Sequence, residues 1–244
     1  AMSKEAHSSI ASTLHILDMD AFVIETDDDC VTEASLRRSL EADTDPRPVI
    51  AVVVTAGTTN AGIVDDIAGV ARVAQERGLW LHVDGAYGGA GLLSPLVKEK
   101  YRGLEFADSF ITDPHKWWFA PYDSAALIYK DPQLARRVHT QDASYLDVLH
   151  EGLSDEEINP TDVAYHLTRR ARGLPLWFSL SVHGVDAYSD AVSASILMAR
   201  QTAEYIKTLE HIELIREPEL SVVLWRRKGW THADYDRLQN VLLN

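Results

Sequence analysis

Lys116 and Asp84 are the residues whose types and settings point most directly to chemistry. Lys116 lies in Thr112-Asp113-Pro114-His115-Lys116-Trp117, just after the apolar pair Phe110-Ile111. Asp84 ends the apolar run Trp80-Leu81-His82-Val83, and the small-residue stretch Gly85-Ala86-Tyr87-Gly88-Gly89 follows it. Taken singly, the ordinary reading is a solvated lysine and a turn-forming aspartate, because both types are mostly exposed. Together they stand at the ends of two predicted strands, where open α/β sheets bind ligands. A lysine that can lose its proton and a carboxylate fixed at a strand end are the two groups that pyridoxal phosphate demands. The amine forms a Schiff base, and the carboxylate keeps the pyridine nitrogen protonated, which makes the ring an electron sink.

The elements that must position them can be read from the hydrophobic pattern. Val49 to Thr55 is an apolar, β-branched run, the pattern of a strand buried on both faces. Ala56-Gly57-Thr58-Thr59-Asn60 breaks it. Asp65 or Asp66 then caps a helix carrying Ile67, Val70, Val73 and Ala74, which Gly78 ends. A strand over Leu79 to Val83 follows, so the unit predicts parallel strands joined by a right-handed crossover. Upstream, Thr32 caps a helix with Leu36 and Leu40 on its apolar face. Short strands fit Ser109 to Thr112 and Ala125 to Tyr129. Residues 131–172 are polar and read as long loops and short helices broken by Pro132 and Pro160. From Leu176 the pattern is helical through Ile206, with a break near Gly184. A strand at Leu220 to Arg226 and a helix at His232 to Leu243 close the chain. The expected division is a large cofactor-binding domain over 2–175 and linking helices with an incomplete small domain over 176–244.

Composition narrows the class. The chain has 244 residues, 46% of them hydrophobic, enough for a substantial core. A net charge of −14 argues against nucleic acid and anionic membrane as partners and suits a cytoplasmic enzyme. The single cysteine, Cys30, excludes a disulfide framework or a cysteine-based metal site within one chain, and no metal site is expected. No apolar run reaches membrane-spanning length and no signal peptide is read. Ala1 before Met2 reads as a tag remnant outside the fold.

Several short blocks carry a family resemblance. They are Glu5-Ala6-His7-Ser8-Ser9, Thr55-Ala56-Gly57-Thr58-Thr59, His82-Val83-Asp84-Gly85-Ala86-Tyr87-Gly88-Gly89, Phe106-Ala107-Asp108-Ser109, Asp113-Pro114-His115-Lys116-Trp117 and Leu167-Thr168-Arg169-Arg170. In order and spacing they resemble the pyridoxal-phosphate-dependent group II amino acid decarboxylases, which act on aromatic amino acids, histidine, glutamate or diaminobutyrate. The His-Lys-Trp block is specific; the His-Val-Asp block is shared with other type I pyridoxal enzymes.

The resemblance implies an α/β fold of the aspartate aminotransferase type: a mostly parallel sheet with helices on both faces and a partial C-terminal α+β domain. It implies pyridoxal 5′-phosphate as cofactor, an L-amino acid as substrate, loss of CO₂ as the reaction, and a homodimer with shared active sites. Lys116 looks like the Schiff-base lysine, Asp84 like the partner of the pyridine nitrogen, and His7 like the histidine stacked on the ring. Ala86 packs near the ring in this picture, and Thr55 lies beside its substituents. Asp113 and His115 flank the phosphate and the lysine. Many relatives carry Asn where Asp113 stands, and a carboxylate near a phosphate must point away or find a cationic partner. Asp142-Ala143-Ser144-Tyr145-Leu146 resembles the mobile catalytic loop, where Tyr145, or a nearby histidine, protonates the carbanion. The family's phosphate-binding turn lies well upstream of the His7 position, and that turn, the N-terminal arm and the end of the small domain are expected to be missing from these residues. The alternatives are another pyridoxal reaction (aldehyde formation, transamination or C–S cleavage) or an inactive remnant that folds and dimerises.

Overall fold

The computed structural model describes residues 1–141 and 159–243. Its centre is a four-stranded sheet in the order β1 (Ala51–Thr55), β2 (Trp80–Gly85), β3 (Ser109–Thr112), β4 (Ala126–Tyr129). The first three strands are parallel and β4 runs antiparallel to β3. The expected mostly parallel sheet with its helices is therefore present. Among the described residues, no helix is long and apolar enough to cross a membrane.

Local chemistry explains the crossover. Helix α3 (Ile67–Arg77) starts where the Asp66 side chain accepts the Gly69 N–H, and ends at Gly78 in the left-handed conformation that a glycine adopts without strain. Its buried Val70 and Val73 pack with Val52 and Val54 of β1 and Leu81 and Val83 of β2 in one core. Helix α2 (Glu33–Ala42) begins with a reciprocal capping box between Thr32 and Ser35, and its Leu36 enters the same core.

The sheet departs from expectation on its second face. Val52 and Val54 are fully buried, whereas Ala51 and Val53 are only partly covered. Val53 instead lines a cavity of about 370 Å³ with Met2, Ile10, Leu14 and Phe22. The β1 run is thus buried on one face rather than two. Ala1 is part of the fold. Its amine donates to Ala51 O, and Val53 N–H donates to Ala1 O at 2.8 Å, so Ala1 lies beside Val52 as a parallel extension of the sheet.

The C-terminal part begins with α5 (Gly173–Lys207), whose predicted break is a kink at Gly184, where φ is 76°. Helix α4 (Pro132–His139) precedes it, and α1 (Ser8–Ile16) lies near the chain start. Beyond α5, β5 (Ile212–Arg216) pairs antiparallel with β6 (Leu224–Arg227), and α6 (His232–Leu243) follows. The expected strand over Leu220 to Arg226 is therefore shorter and shifted. Leu220 leaves the ladder because it is drawn into the core, fully buried against Gly57 and Gly88. Those glycines allow the approach: a Cβ on Gly88 would lie 2.1 Å from Ala56 O and 2.8 Å from Leu220 Cδ1. Leu220→Ala is expected to cost about 2–5 kcal/mol in urea unfolding, the usual range for truncating a fully buried leucine. A cost near zero would show that Leu220 does not clamp these loops.

Candidate active site

Register brings the sequence-predicted residues to one rim. Thr55, the last residue of β1, pairs with Asp84 of β2, and Gly85 pairs with Thr112, the last residue of β3. Asp113 follows Thr112 directly, so Thr55, Asp84 and Asp113 emerge at the carboxyl ends of three adjacent parallel strands. Ala86 joins them. Its N–H donates to Asp84 Oδ1 at 3.0 Å, and its carbonyl accepts the Asp113 N–H at 3.1 Å. Asp113 O in turn accepts the Lys116 N–H at 2.9 Å, closing the turn that carries the lysine. The Lys116 amine lies 2.8 Å from Asp113 Oδ2. Asp113 thus has the cationic partner that a carboxylate at this position requires.

Asp84 is only 7% exposed, and the Ala86 N–H holds its carboxylate through Oδ1. A carboxylate fixed in this way at a strand end suits a ligand that brings a charged N–H to it. The protonated pyridine nitrogen of pyridoxal phosphate is such a group, and Lys116, with 40% of its side chain exposed, is open to an aldehyde from the same rim. The strand-end residues therefore fit the cofactor's ring and its point of attachment.

His115 sits next to the lysine with its Nδ1 clamped by Ser124. The Ser124 N–H approaches at 2.9 Å and the Ser124 carbonyl is also in contact, so the tautomer decides which of the two bonds forms. Its ring also meets Tyr122 edge-on at 5.0 Å. His7 is exposed, and its Nδ1 is engaged with Ser9 Oγ at 2.8 Å and Ser9 N at 3.2 Å, at the start of α1. That engagement is with its own helix start, not with Asp84 or Lys116. Tyr145 lies outside the described residues.

Two features went unread in the sequence. The first is a cavity of about 1000 Å³ beside His115, whose wall, among the described residues, carries His166, Arg169, Arg170 and Arg172 against one carboxylate, Asp123. Arg170 and Arg172 both bond Asp123, at 2.5 and 3.1 Å. The signal was the Arg169-Arg170 pair itself, but nothing in the sequence linked it to Asp123. The second is Asp65. Asp66 takes the capping role, which frees Asp65 to accept the backbone N–H groups of Val31 at 2.7 Å and Thr55 at 2.6 Å. It thereby ties the end of β1 to the segment before α2.

Burial pushes the Asp65 carboxyl up to about 7, with Glu219 and Asp66 adding to the rise and the two backbone bonds opposing it. Burial, then the Asp65 and Glu219 carboxylates, push the Cys30 thiol up to about 11, which leaves it a poor nucleophile. For Asp65 the sign follows from linkage. The unfolded chain sheds this proton near the ordinary carboxylate value, while the folded chain keeps it until about 7. Stability therefore falls as pH rises through that interval and levels off above it. Between about pH 5 and about pH 8 the parent should lose roughly 2–3 kcal/mol more in urea unfolding than Asp65→Asn, which cannot ionise. Equal losses would contradict the assignment.

Residues 1–228 match the family described as Pyridoxal-dependent decarboxylase conserved domain. An aromatic-L-amino-acid decarboxylase of Bacillus atrophaeus is 30% identical over 229 residues, covering 92% of this chain and 48% of the relative. An L-2,4-diaminobutyrate decarboxylase of Acinetobacter baumannii is 34% identical over 180 residues, covering 73% of this chain and 34% of the relative. The crystal structure of Oryza sativa TDC with PLP and tryptamine matches with a TM-score of 0.87 at 25% identity, over 99% of this chain and 52% of that one. The chain spans about half the length, or less, of these relatives. With a sequence match through residue 228 and a fold shared along 99% of its length, the chain belongs to the pyridoxal-dependent decarboxylases, a family of type I fold whose cofactor is pyridoxal 5′-phosphate.

Proposed function

We propose that the protein removes the α-carboxylate of an L-amino acid as CO₂ and releases the amine. The observation that carries this is the link from Asp84 through Ala86 and Asp113 to Lys116 at neighbouring strand ends, in a chain of this family. When bound, pyridoxal 5′-phosphate supplies the electron sink for the pair left behind as CO₂ departs. Lys116 gives the amine for covalent attachment. Asp84 would pair with the ring nitrogen and keep it protonated, the cation in turn favouring the ionised form of a nearly buried carboxylate. Ala86 and Thr55 border the ring, and Asp113 and His115 border the lysine and the phosphate. His7 would stack on the ring. Tyr145 would deliver the proton to Cα, with a nearby histidine as the alternative donor.

The cationic wall of Arg169, Arg170 and Arg172 supports an amino acid as substrate, because it draws a carboxylate towards the rim in a chain of net charge −14. The same reading assigns residues 2–175 to the cofactor-binding domain and 176–244 to the linking helices and small domain. It also makes the working unit a cytoplasmic homodimer with shared sites. Exposed Leu174, Trp177, Phe178 and Val182 on the first arm of α5 support an apolar contact with a second copy.

The test is product analysis on a panel of amino acids with the cofactor-loaded protein. Equal amounts of CO₂ and amine from one member are expected. An aldehyde or a keto acid as the main product would replace this reading with another pyridoxal reaction.

A further inference from the structure

Lys116 is backed by a layer of side chains that none of the roles above uses. Trp117, its neighbour in the chain, is buried, and its indole N–H has no hydrogen-bond partner among the described residues. Packing, not hydrogen bonding, fixes this ring. The packing surface is Tyr87, stacked on Trp117 with 5.1 Å between centroids and 22° between planes. Tyr87 follows Ala86 in the loop after β2, and its own hydroxyl is anchored 134 residues away. It accepts the Ser221 N–H at 3.1 Å and shares a second, short hydrogen bond with Ser221 Oγ. The anchor is itself well fastened. Leu220 is fully buried against Gly57 and Gly88, and Glu219 pairs with Lys100 at 2.6 Å. Residues 220–221 thus grip the strand-end loops by apolar contact and hydrogen bond, and Glu219 ties them by charge to Lys100.

We infer that Tyr87 is a positioning residue: held by Ser221, it braces Trp117 and so fixes the turn from which the Lys116 amine reaches Asp113. Tyr87 touches no reacting atom in this scheme. Its importance to function rests on the reading of Lys116 as the reactive lysine, but the physical claim does not.

Tyr87→Phe isolates the anchor, because it keeps the stacking ring and removes only the hydroxyl. The measurement is acetylation of the cofactor-free protein by limiting acetic anhydride, with peptide masses giving the rate at Lys116 relative to exposed Lys98. A general loosening moves both lysines together and leaves the ratio unchanged; a lost brace moves Lys116 alone. The expected ratio rises about threefold in Tyr87→Phe, the size of effect that release from a partly exposed ion pair with Asp113 allows. In the cofactor-loaded protein the same variant should lower kcat with little change in KM. A ratio equal to the parent's overturns the inference. If Tyr87→Phe does not fold, Ser221→Ala, which keeps the backbone N–H, decides by the same ratio, with a smaller rise expected. Because the acetylation needs neither cofactor nor substrate, failure of the brace and failure of the decarboxylase reading are distinguishable.

Discussion

Lys116→Ala is expected to abolish covalent capture of pyridoxal 5′-phosphate and all measurable turnover while the chain still folds. In the proposed function its amine is the one that condenses with the cofactor's aldehyde, and alanine leaves no substitute. The fold loses little, because the lysine side chain is 40% exposed and its ion-pair partner is Asp113 in the adjoining turn. Stability should fall by about 1 kcal/mol, reflecting the Asp113 carboxylate left without its cation. Absorbance at wavelengths where protein is transparent reads the capture, and thermal unfolding reads the fold. A unique lysine still trapped by borohydride in this variant would contradict the assignment of Lys116.

Asp84→Asn should behave differently. Asparagine keeps an acceptor for the Ala86 N–H, so the rim geometry survives. Covalent capture at Lys116 should therefore persist. The charge opposite the ring nitrogen is lost, and with it the electrostatic stabilisation of the developing electron pair. A loss of about 3 kcal/mol slows kcat by more than a hundredfold. Turnover at the parent rate would show that Asp84 does not serve the ring nitrogen. The two variants separate attachment from electron withdrawal: one has no capture, the other has capture with slow chemistry.

Much of this site is local, and so is legible in the amino-acid order alone. The strand ends at Thr55, Asp84 and Thr112 follow from short apolar runs broken by small or polar residues, and the register then aligns them. The Thr32 cap and the Gly78 stop are also local signals, written within a few residues. What escapes the sequence is non-local. Asp65 and Asp66 are equivalent as caps in sequence; only the approach of Val31 and Thr55 separates them. Ser221 gives no sign that it meets Tyr87, and Leu220 looks like a strand residue until the gap between Gly57 and Gly88 claims it. Strand β5, Ile212–Arg216, lacks a clean alternation because its residues are only partly buried, so periodicity could not mark it. The pairing of Ala1 with Ala51 and Val53 is through the backbone alone, which no side-chain pattern records.

The most direct measurement is borohydride reduction of the protein with saturating pyridoxal 5′-phosphate, followed by peptide mapping of the pyridoxyl label. The expected result is a label on Lys116 alone, in the peptide that also contains Asp113 and Trp117. A label on a different lysine, or no label under saturating cofactor, would contradict the assignment of the active site.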